Sequence, residues 1–411
     1  MLYCRKSRFK YYHCINILDF VFLIISILEI LFISYFGYLV VYNLTLSVSG
    51  HFYRSKLKGS SQPSKFHKIL VLIPAYKEDS VILEVAKKAL DQIYPSQHYE
   101  VAVIADQLKP ETVKRLKELP ILTEEVHFEK STKVRSLKSV LNKYNEYDIA
   151  VVLDADNIMD KDFLTLINAG FNLDMKVIQG RRVAKNDNNS VAILDGLSEI
   201  INNFIFRQGS AALGLSSPVI GSGMAFEYRL LRDKLNNIDS IGGFDKELQA
   251  SIISDGFKIE YCNEAIVYDE KVDDPQVFEN QRKRWVSSQY IYFKRHFISS
   301  LKSVFKGNLS LFNISVLMHA QLPRLISLVC LLGLTVTYLF IEDYLFLSYY
   351  HWLSAFLIYI TSIFLAIPAR FYTKDFFIAL LKVPQLFKKM VMIHFKLKGA
   401  NKSFIHTPHK H

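Results

Sequence analysis

Apolar and polar positions alternate in two regimes along the chain. Residues 20–42 form a nearly unbroken apolar run in which Glu29 is the only charged residue. The run is long enough for a helix to cross a hydrocarbon core of roughly 30 Å. It is too long for a cleaved signal peptide, and no small-residue cleavage site follows it. From 51 to about 305 the pattern becomes that of an α/β domain. KILVLIP (68–74), YEVAVIAD (99–106) and DIAVVLDAD (148–156) predict buried strands, and VILEVAKKALDQI (81–93) and TKVRSLKSVLNKY (132–144) predict helices between them. Strands alternating with helices imply a doubly wound, mostly parallel sheet. Ligands of such sheets sit at the carboxyl ends of the strands, and Tyr76, Glu78, Asp106, Asp154 and Asp156 all follow strand ends.

Beyond the α/β region, 308–322 is apolar but carries His319 and Gln321 and predicts an amphipathic interfacial helix. Residues 325–341 and 344–367 predict two further spans, and 376–395 mixes lysines with apolar residues as a surface segment does. Three regions follow: 1–50 with the first span, an α/β domain at 51–305, and 306–411 with the interfacial helix, two spans and a basic tail. Basic residues flank the first span almost equally, Arg5, Lys6, Arg8 and Lys10 before it and Arg54, Lys56, Lys58, Lys65 and Lys68 after it. The second hairpin breaks the tie. Its short loop holds Glu342 and Asp343, whereas its flanks carry Arg295, Lys302, Lys306, Arg370 and Lys374. Excess positive charge marks the cytoplasmic side, so the expectation is a multi-pass membrane protein with a cytoplasmic α/β domain.

Composition narrows this further. Of 411 residues, 50% are hydrophobic and 22% charged, which suits a membrane protein with one sizeable water-facing domain. The net charge of +11 gathers beside the apolar segments, where it marks anionic lipid head groups. No nucleic-acid-reading motif accompanies it. Cys4, Cys14, Cys262 and Cys330 are scattered, so neither a zinc site nor a disulfide framework is indicated.

Three constellations carry candidate chemistry. Asp154-Ala155-Asp156 sets two carboxylates at i and i+2 after the buried run Val151-Val152-Leu153, an arrangement able to hold an oxygen-preferring divalent cation such as Mg²⁺ or Mn²⁺ against a diphosphate; the ordinary alternative is a solvated turn. Gly242-Gly243-Phe244-Asp245 is a tight turn that can present an acid to take a proton from a hydroxyl; the ordinary alternative is an N-capping Asp before a helix over 246–254. Gln281-Arg282-Lys283-Arg284-Trp285 places an indole in a basic run, where Trp can stack on a sugar and Arg can pair with phosphate. Gly221-Ser222-Gly223 can line an acceptor site or be a simple turn. Arg181 and Arg182 can face phosphate or solvent.

Together these residues resemble the family-2 glycosyltransferases, especially the membrane-integrated polysaccharide synthases that include cellulose, chitin, hyaluronan and exopolysaccharide synthases. The resemblance runs from about Ile69 to Arg295. Pro74-Ala75-Tyr76-Lys77-Glu78 is similar to the family's PAYNE segment, with Lys77 in place of Asn. Asp106 matches its nucleobase-reading Asp, Lys133 the Lys of its GKA-like segment, and Asp154 and Asp156 its DxD. The resemblance implies that Ala75, Tyr76, Glu78, Asp106, Lys133 and Asp154 bind the donor. It implies that Asp245 is the general base, although Phe244 replaces the acid usual before it, which leaves Glu247 as a rival. Gln281, Arg282, Arg284 and Trp285 match QxxRW in full and, with Gly221, Ser222 and Gly223, are implied to hold acceptor, product and diphosphate. The implied fold is GT-A with transmembrane and interfacial helices. The implied activity is inverting transfer from a nucleotide-sugar, a UDP-sugar, to a growing polysaccharide, or of a single sugar to a lipid-linked acceptor, with membrane lipids and oligomer or export partners around it. The C-terminal Phe404 to His409 stretch loosely resembles a gating segment of the same synthases; a loose tail is the alternative.

Overall fold

The computed structural model describes residues 4–57, 64–186, 189–239, 242–272, 275–385, 387 and 391–392; the 404–409 stretch, Lys58, Lys388 and Lys389 lie outside the described residues. The chain divides into two compact units. One comprises Ser49–Gln321 with Ala366–His411, the other Met1–Val48 with Leu322–Leu365.

The first unit is built on an eight-stranded sheet of β1 (Ile69–Tyr76), β2 (Tyr99–Asp106), β3 (Leu122–Val126), β4 (Ile149–Val152), β5 (Ile158–Met159), β6 (Val177–Ala184), β7 (Met224–Glu227) and β8 (Ile259–Asp269), in the order β3-β2-β1-β4-β7-β6-β8-β5. Strand period two sorts the core into two layers. Leu70, Leu72, Ile104 and Val152 point to one face, under the helices Lys133–Leu141, Tyr228–Asn236 and Phe244–Ser254. Ile69, Val71, Ile73, Val103 and Val151 point to the other, under Ile82–Ala89 and Phe163–Phe171. Both faces are covered, which is why these strands read as continuous apolar runs.

The sheet is mostly parallel, as expected, but it is mixed. β3, β2, β1 and β4 are parallel, as are β6 and β8, but β7 runs antiparallel to both β4 and β6, and β5 runs antiparallel to β8. The four residues of β7 follow a glycine-rich turn and fill the gap between the two parallel halves, a pairing that leaves no local pattern.

Three segments differ from expectation. The helix after the glycine pair is Phe244–Ser254, with Gly243 at its N-cap in the left-handed region (φ 69°), so Asp245 lies in the first turn and is not the cap. The expected interfacial helix 308–322 is a single α turn, Leu309–Phe312, followed by a π segment, Asn313–Leu317. The segment beginning at 376 does not lie loose on the surface. Lys374–Leu380 packs on the helix Ser190–Asn202, with Phe376 and Ala379 buried.

The second unit holds most of the long helix Cys4–His51 with the helices Arg324–Ile341 and Tyr349–Leu365. Asp19–His51 and Arg324–Tyr344 are long and apolar enough to cross a membrane; Tyr349–Leu365, at 17 residues, is shorter than the expected 344–367 span because residues 345–348, after the 3-10 turn Glu342–Tyr344, are not helical. Phe36, Leu39, Leu331, Tyr338 and Trp352 pack at the centre of this unit. Glu29, the odd charge of the first apolar run, is buried there. Its carboxylate accepts from the Phe346 and Leu347 backbone N–H groups at 3.0 and 3.1 Å and from the Tyr338 hydroxyl at 3.1 Å. Glu342 accepts from the Ser348 hydroxyl and the Tyr349 N–H, closing the hairpin loop.

Candidate active site

A cavity of about 580 Å³ opens where β1, β2 and β4 end. β1 and β2 are paired in register to their last residues, Tyr76 opposite Asp106. The chain then turns sharply at both ends, with Lys77 and Gln107 in the left-handed region (φ 57° and 56°) and the Lys77 N–H donating to the Asp106 carbonyl at 3.1 Å. Side-chain-bearing residues rarely adopt that region unless the surroundings impose it. The turns bring Tyr76, Glu78 and Asp106 to the cavity wall. Asp106 is 1% exposed, and neither carboxylate oxygen makes a well-formed hydrogen bond with the protein. Burial raises its pKa, against the nearby Ser131 hydroxyl, His127 and Lys77.

Past β4, Asp154 and Asp156 line the same cavity. Asp154 pairs with the Lys133 ammonium, which also donates to the Gly221 carbonyl at 2.8 Å and lies 5.7 Å from the centre of the Phe244 ring. Lys133 opens the helix Lys133–Leu141, whose N-cap is Thr132; the Thr132 side chain accepts from the Arg135 N–H. One capped helix thereby delivers a cation to the strand-end carboxylate, the Gly221 turn and the glycine-pair turn.

That last turn is clamped by the long helix Pro275–Val304. A Cβ on Gly243 would meet Tyr292 Cε2 at 2.8 Å and Ser288 Cβ at 3.1 Å, so only glycine lets the helix approach so closely. Asp245, the first-turn acid, lines the cavity. Glu247 does not: it pairs with Arg295 at 2.6 Å and lies 3.6 Å from His296, and these partners hold its carboxyl below the usual range. From the same long helix Gln281, Arg284 and Trp285 line the cavity, Trp285 being 39% exposed; burial lowers the Arg284 pKa.

Four expected site residues lie elsewhere. Ala75 is buried in the core below the cavity. Arg282 pairs with Asp195, and its guanidinium stacks on Trp285 with 4.5 Å to the ring centre, so it braces the indole from behind. Ser222 and Gly223 stand behind the wall. Ser222 is 1% exposed, and Gly223 approaches Val267 so closely that a Cβ would sit 2.9 Å from its Cγ2. Gly221 does line the cavity, with φ 86°.

A buried ionic cluster that the sequence reading missed lies on the same wall. Glu199 bridges Arg182 at 2.9 Å and Arg207 at 3.0 Å, and Lys271 bonds Asp269 at 2.7 Å. Burial alone would push the Glu199 and Asp269 carboxyls up; the surrounding cations override it and hold both below the usual range. Arg182 therefore turns to carboxylates, not to solvent. Arg207 comes from a π segment, Asn203–Gly209, and His319 follows the second one; both reach the cavity. Such segments occur often at functional sites. A signal was available for Glu199: on the helix Ser190–Asn202 the buried positions Ala192, Asp195, Gly196 and Glu199 recur at helical spacing, which puts two acids on the inward face.

The donor set suits a hard divalent cation. Asp154 and Asp156 supply carboxylate oxygens on a cavity wall, and among the described residues no third His, Cys or acid joins them in a cluster. This matches the pattern of Mg²⁺-type sites that complete their ligands with phosphate and water.

Comparison with known proteins bears on the family and the fold. Residues 67–288 match the family described as glycosyltransferase like family 2. The chain is 24% identical over 254 residues to the probable glycosyltransferase YdaM of Bacillus subtilis (strain 168), covering 59% of this chain and 60% of that protein. It is 26% identical over 235 residues to a beta-monoglucosyldiacylglycerol synthase of Nostoc sp. (strain PCC 7120 / SAG 25.82 / UTEX 2576), covering 54% and 49% respectively. The chain thus spans about half to three fifths of the length of the curated relatives it matches. Among solved structures, the mannosyltransferase PcManGT from Pyrobaculum calidifontis, in complex with GDP-Man and Mn²⁺, superposes with a TM-score of 0.52 at 17% identity, over 80% of this chain and 94% of that one. That likeness shows a shared fold.

Proposed function

Since this chain belongs to the glycosyltransferase-like family 2, matched over more than half its length, we propose that it moves a sugar from a nucleotide-sugar to a hydroxyl of a membrane-borne acceptor, with inversion at the anomeric carbon. The observation that carries the reading is a single cavity lined by Asp106, Lys133, Asp154 and Asp156 on one side and by Asp245, Arg284 and Trp285 on the other. In the proposed reaction Asp245 takes the proton of the acceptor hydroxyl. The freed oxygen forms its bond to the anomeric carbon as the bond from that carbon to the diphosphate breaks, and the nucleoside diphosphate leaves. Lys133 and Arg284 bring positive charge to that leaving group. A divalent cation would be held by Asp154 and Asp156, where it neutralises the diphosphate. Asp106 serves the nucleobase end, where a buried carboxylate whose oxygens make no well-formed hydrogen bond with the protein is ready to accept from a base N–H.

For the acceptor we favour a lipid. A relative whose name states an acceptor is a glucosyldiacylglycerol synthase, and two helices of this chain are long and apolar enough to cross a membrane. The basic flanks of the hairpin then set the α/β unit on the cytoplasmic side. A growing polysaccharide is the second reading, favoured by the part-exposed Trp285 indole, which offers a face for a sugar ring. The full chain in lipid nanodiscs, given UDP- and GDP-sugars with diacylglycerol or its glycosides, separates them. One sugar added to lipid supports the first reading, a ladder of products the second, and no transfer from any donor overturns both.

A further inference from the structure

Asp154 stands at the end of a row of buried side chains. Its backbone N–H donates to the Ser222 hydroxyl at 2.9 Å, that hydroxyl donates to Asn157 Oδ1 at 2.6 Å, and Asn157 Nδ2 donates to Asp269 Oδ1 at 2.8 Å. Asp269 is anchored in turn by Lys271. Asn157 is 0% exposed and Ser222 1%, so water does not share these bonds. The direction of each bond is forced. The Asp269 carboxylate only accepts, so the Asn157 amide nitrogen faces it and the Asn157 oxygen faces Ser222; the Ser222 hydroxyl, which accepts from the Asp154 N–H, gives its one hydrogen to that oxygen. A carboxylate held ionised by its neighbours fixes that end of the row.

The turn does not need this row to close. The Asn157 N–H already donates to the Asp154 carbonyl at 3.1 Å, which is the turn's own backbone bond. What the row adds is a fixed position for the Asp154 amide, and so for the backbone root of its carboxylate side chain, set from the far strand β8 and from the turn before β7. We propose that Ser222 and Asn157 are positioning residues, which hold the Asp154 turn so that a divalent cation and a nucleoside diphosphate bind together in the cavity. This rests on the donor reading above. It gives Ser222 a task different from acceptor contact.

Supporting groups behind metal ligands are worth 10- to 100-fold in affinity as a rule of thumb. The test measures binding, not turnover. The full chain in detergent is titrated with Mn²⁺ in the presence of UDP or GDP, and free Mn²⁺ is read by electron paramagnetic resonance for wild type, Ser222→Ala and Asn157→Ala, alongside nucleotide binding without metal and Tm. The expected result is Mn²⁺ affinity about 10-fold weaker or worse in both variants, with metal-free nucleotide binding and Tm close to wild type. Affinity equal to wild type in Ser222→Ala overturns the inference, whether or not Asn157→Ala folds. A drop in Tm that tracks the loss of affinity also overturns it, because the row is then only structural. Wild type binding no Mn²⁺ with either nucleotide sinks the donor reading itself and the inference with it.

Discussion

The Tyr292 hydroxyl donates to the Gly242 carbonyl at 3.0 Å. Through that bond the helix bearing Arg284 and Trp285 is tied to the turn bearing Asp245. Gly243→Ala strains both partners: an alanine in the left-handed region costs about 1–2 kcal/mol, and its Cβ would press on Tyr292 and Ser288. The variant should melt lower and lose most of its transfer activity. Tyr292→Phe, which removes only the bond, should lose less of both. A Gly243→Ala protein equal to wild type in Tm and rate would show that turn and helix are not coupled.

Asp245→Asn should lower transfer by a hundredfold to ten-thousandfold, the usual worth of a placed base, while nucleotide binding survives. Glu247→Gln should retain most of its activity and lose some stability, since it gives up the Arg295 pair at a partly exposed site. Rates and nucleotide affinities of the two variants decide the matter; a dead Glu247→Gln beside an active Asp245→Asn reverses the assignment.

Asp156→Asn should nearly abolish transfer with the fold intact, and excess chelator should do the same to wild type. Circular dichroism and rate measured on one preparation check this. Undiminished turnover in chelator would mean that the two carboxylates serve without a cation.

His319 gives a pH prediction. Burial, helped by Lys246 nearby, lowers its pKa to about 3, and its Nδ1 sits 2.5 Å from the Ile314 carbonyl. A free histidine takes its proton near pH 6.5. Between those values the unfolded chain binds a proton that the folded chain refuses, so stability falls as pH drops below about 6.5. His319→Gln keeps a donor for the carbonyl and has nothing to titrate. From pH 7 to pH 5 the wild-type Tm should therefore fall more steeply than the variant's. Parallel falls would place the imidazole in a wetter setting than the structure has it.

What could be read from the chain alone follows from physical range. β1, β2 and β4 were legible because strands covered on both faces need apolar residues throughout, and the acids that close them stand out against such runs. Asp154 and Asp156 stood out for that reason; Asp245 and Trp285 stood out by the glycine pair, the basic run and the resemblance. β7 was not, since four residues whose partners are far away in sequence carry no period of their own. Nor were Arg182, Arg207 and Lys271: single charges read as surface until their partners, distant in sequence, are seen beside them; Glu199 had only the helical spacing of its face to mark it. Ser222 was read as part of the cavity, yet its hydroxyl is spent on the backbone behind it.

Glu29 bears on how the second unit can move. An α-helix advances about 1.5 Å and swings about 100° with each residue. Slipping the long N-terminal helix by a single step would carry the carboxyl group away from Phe346, Leu347 and Tyr338 together and strand an unpaired polar group in apolar surroundings, which is expensive. The three donors act as a keyway. The helix can neither swivel nor ratchet along the hairpin, and any displacement during turnover must leave this trio of helices travelling as one piece.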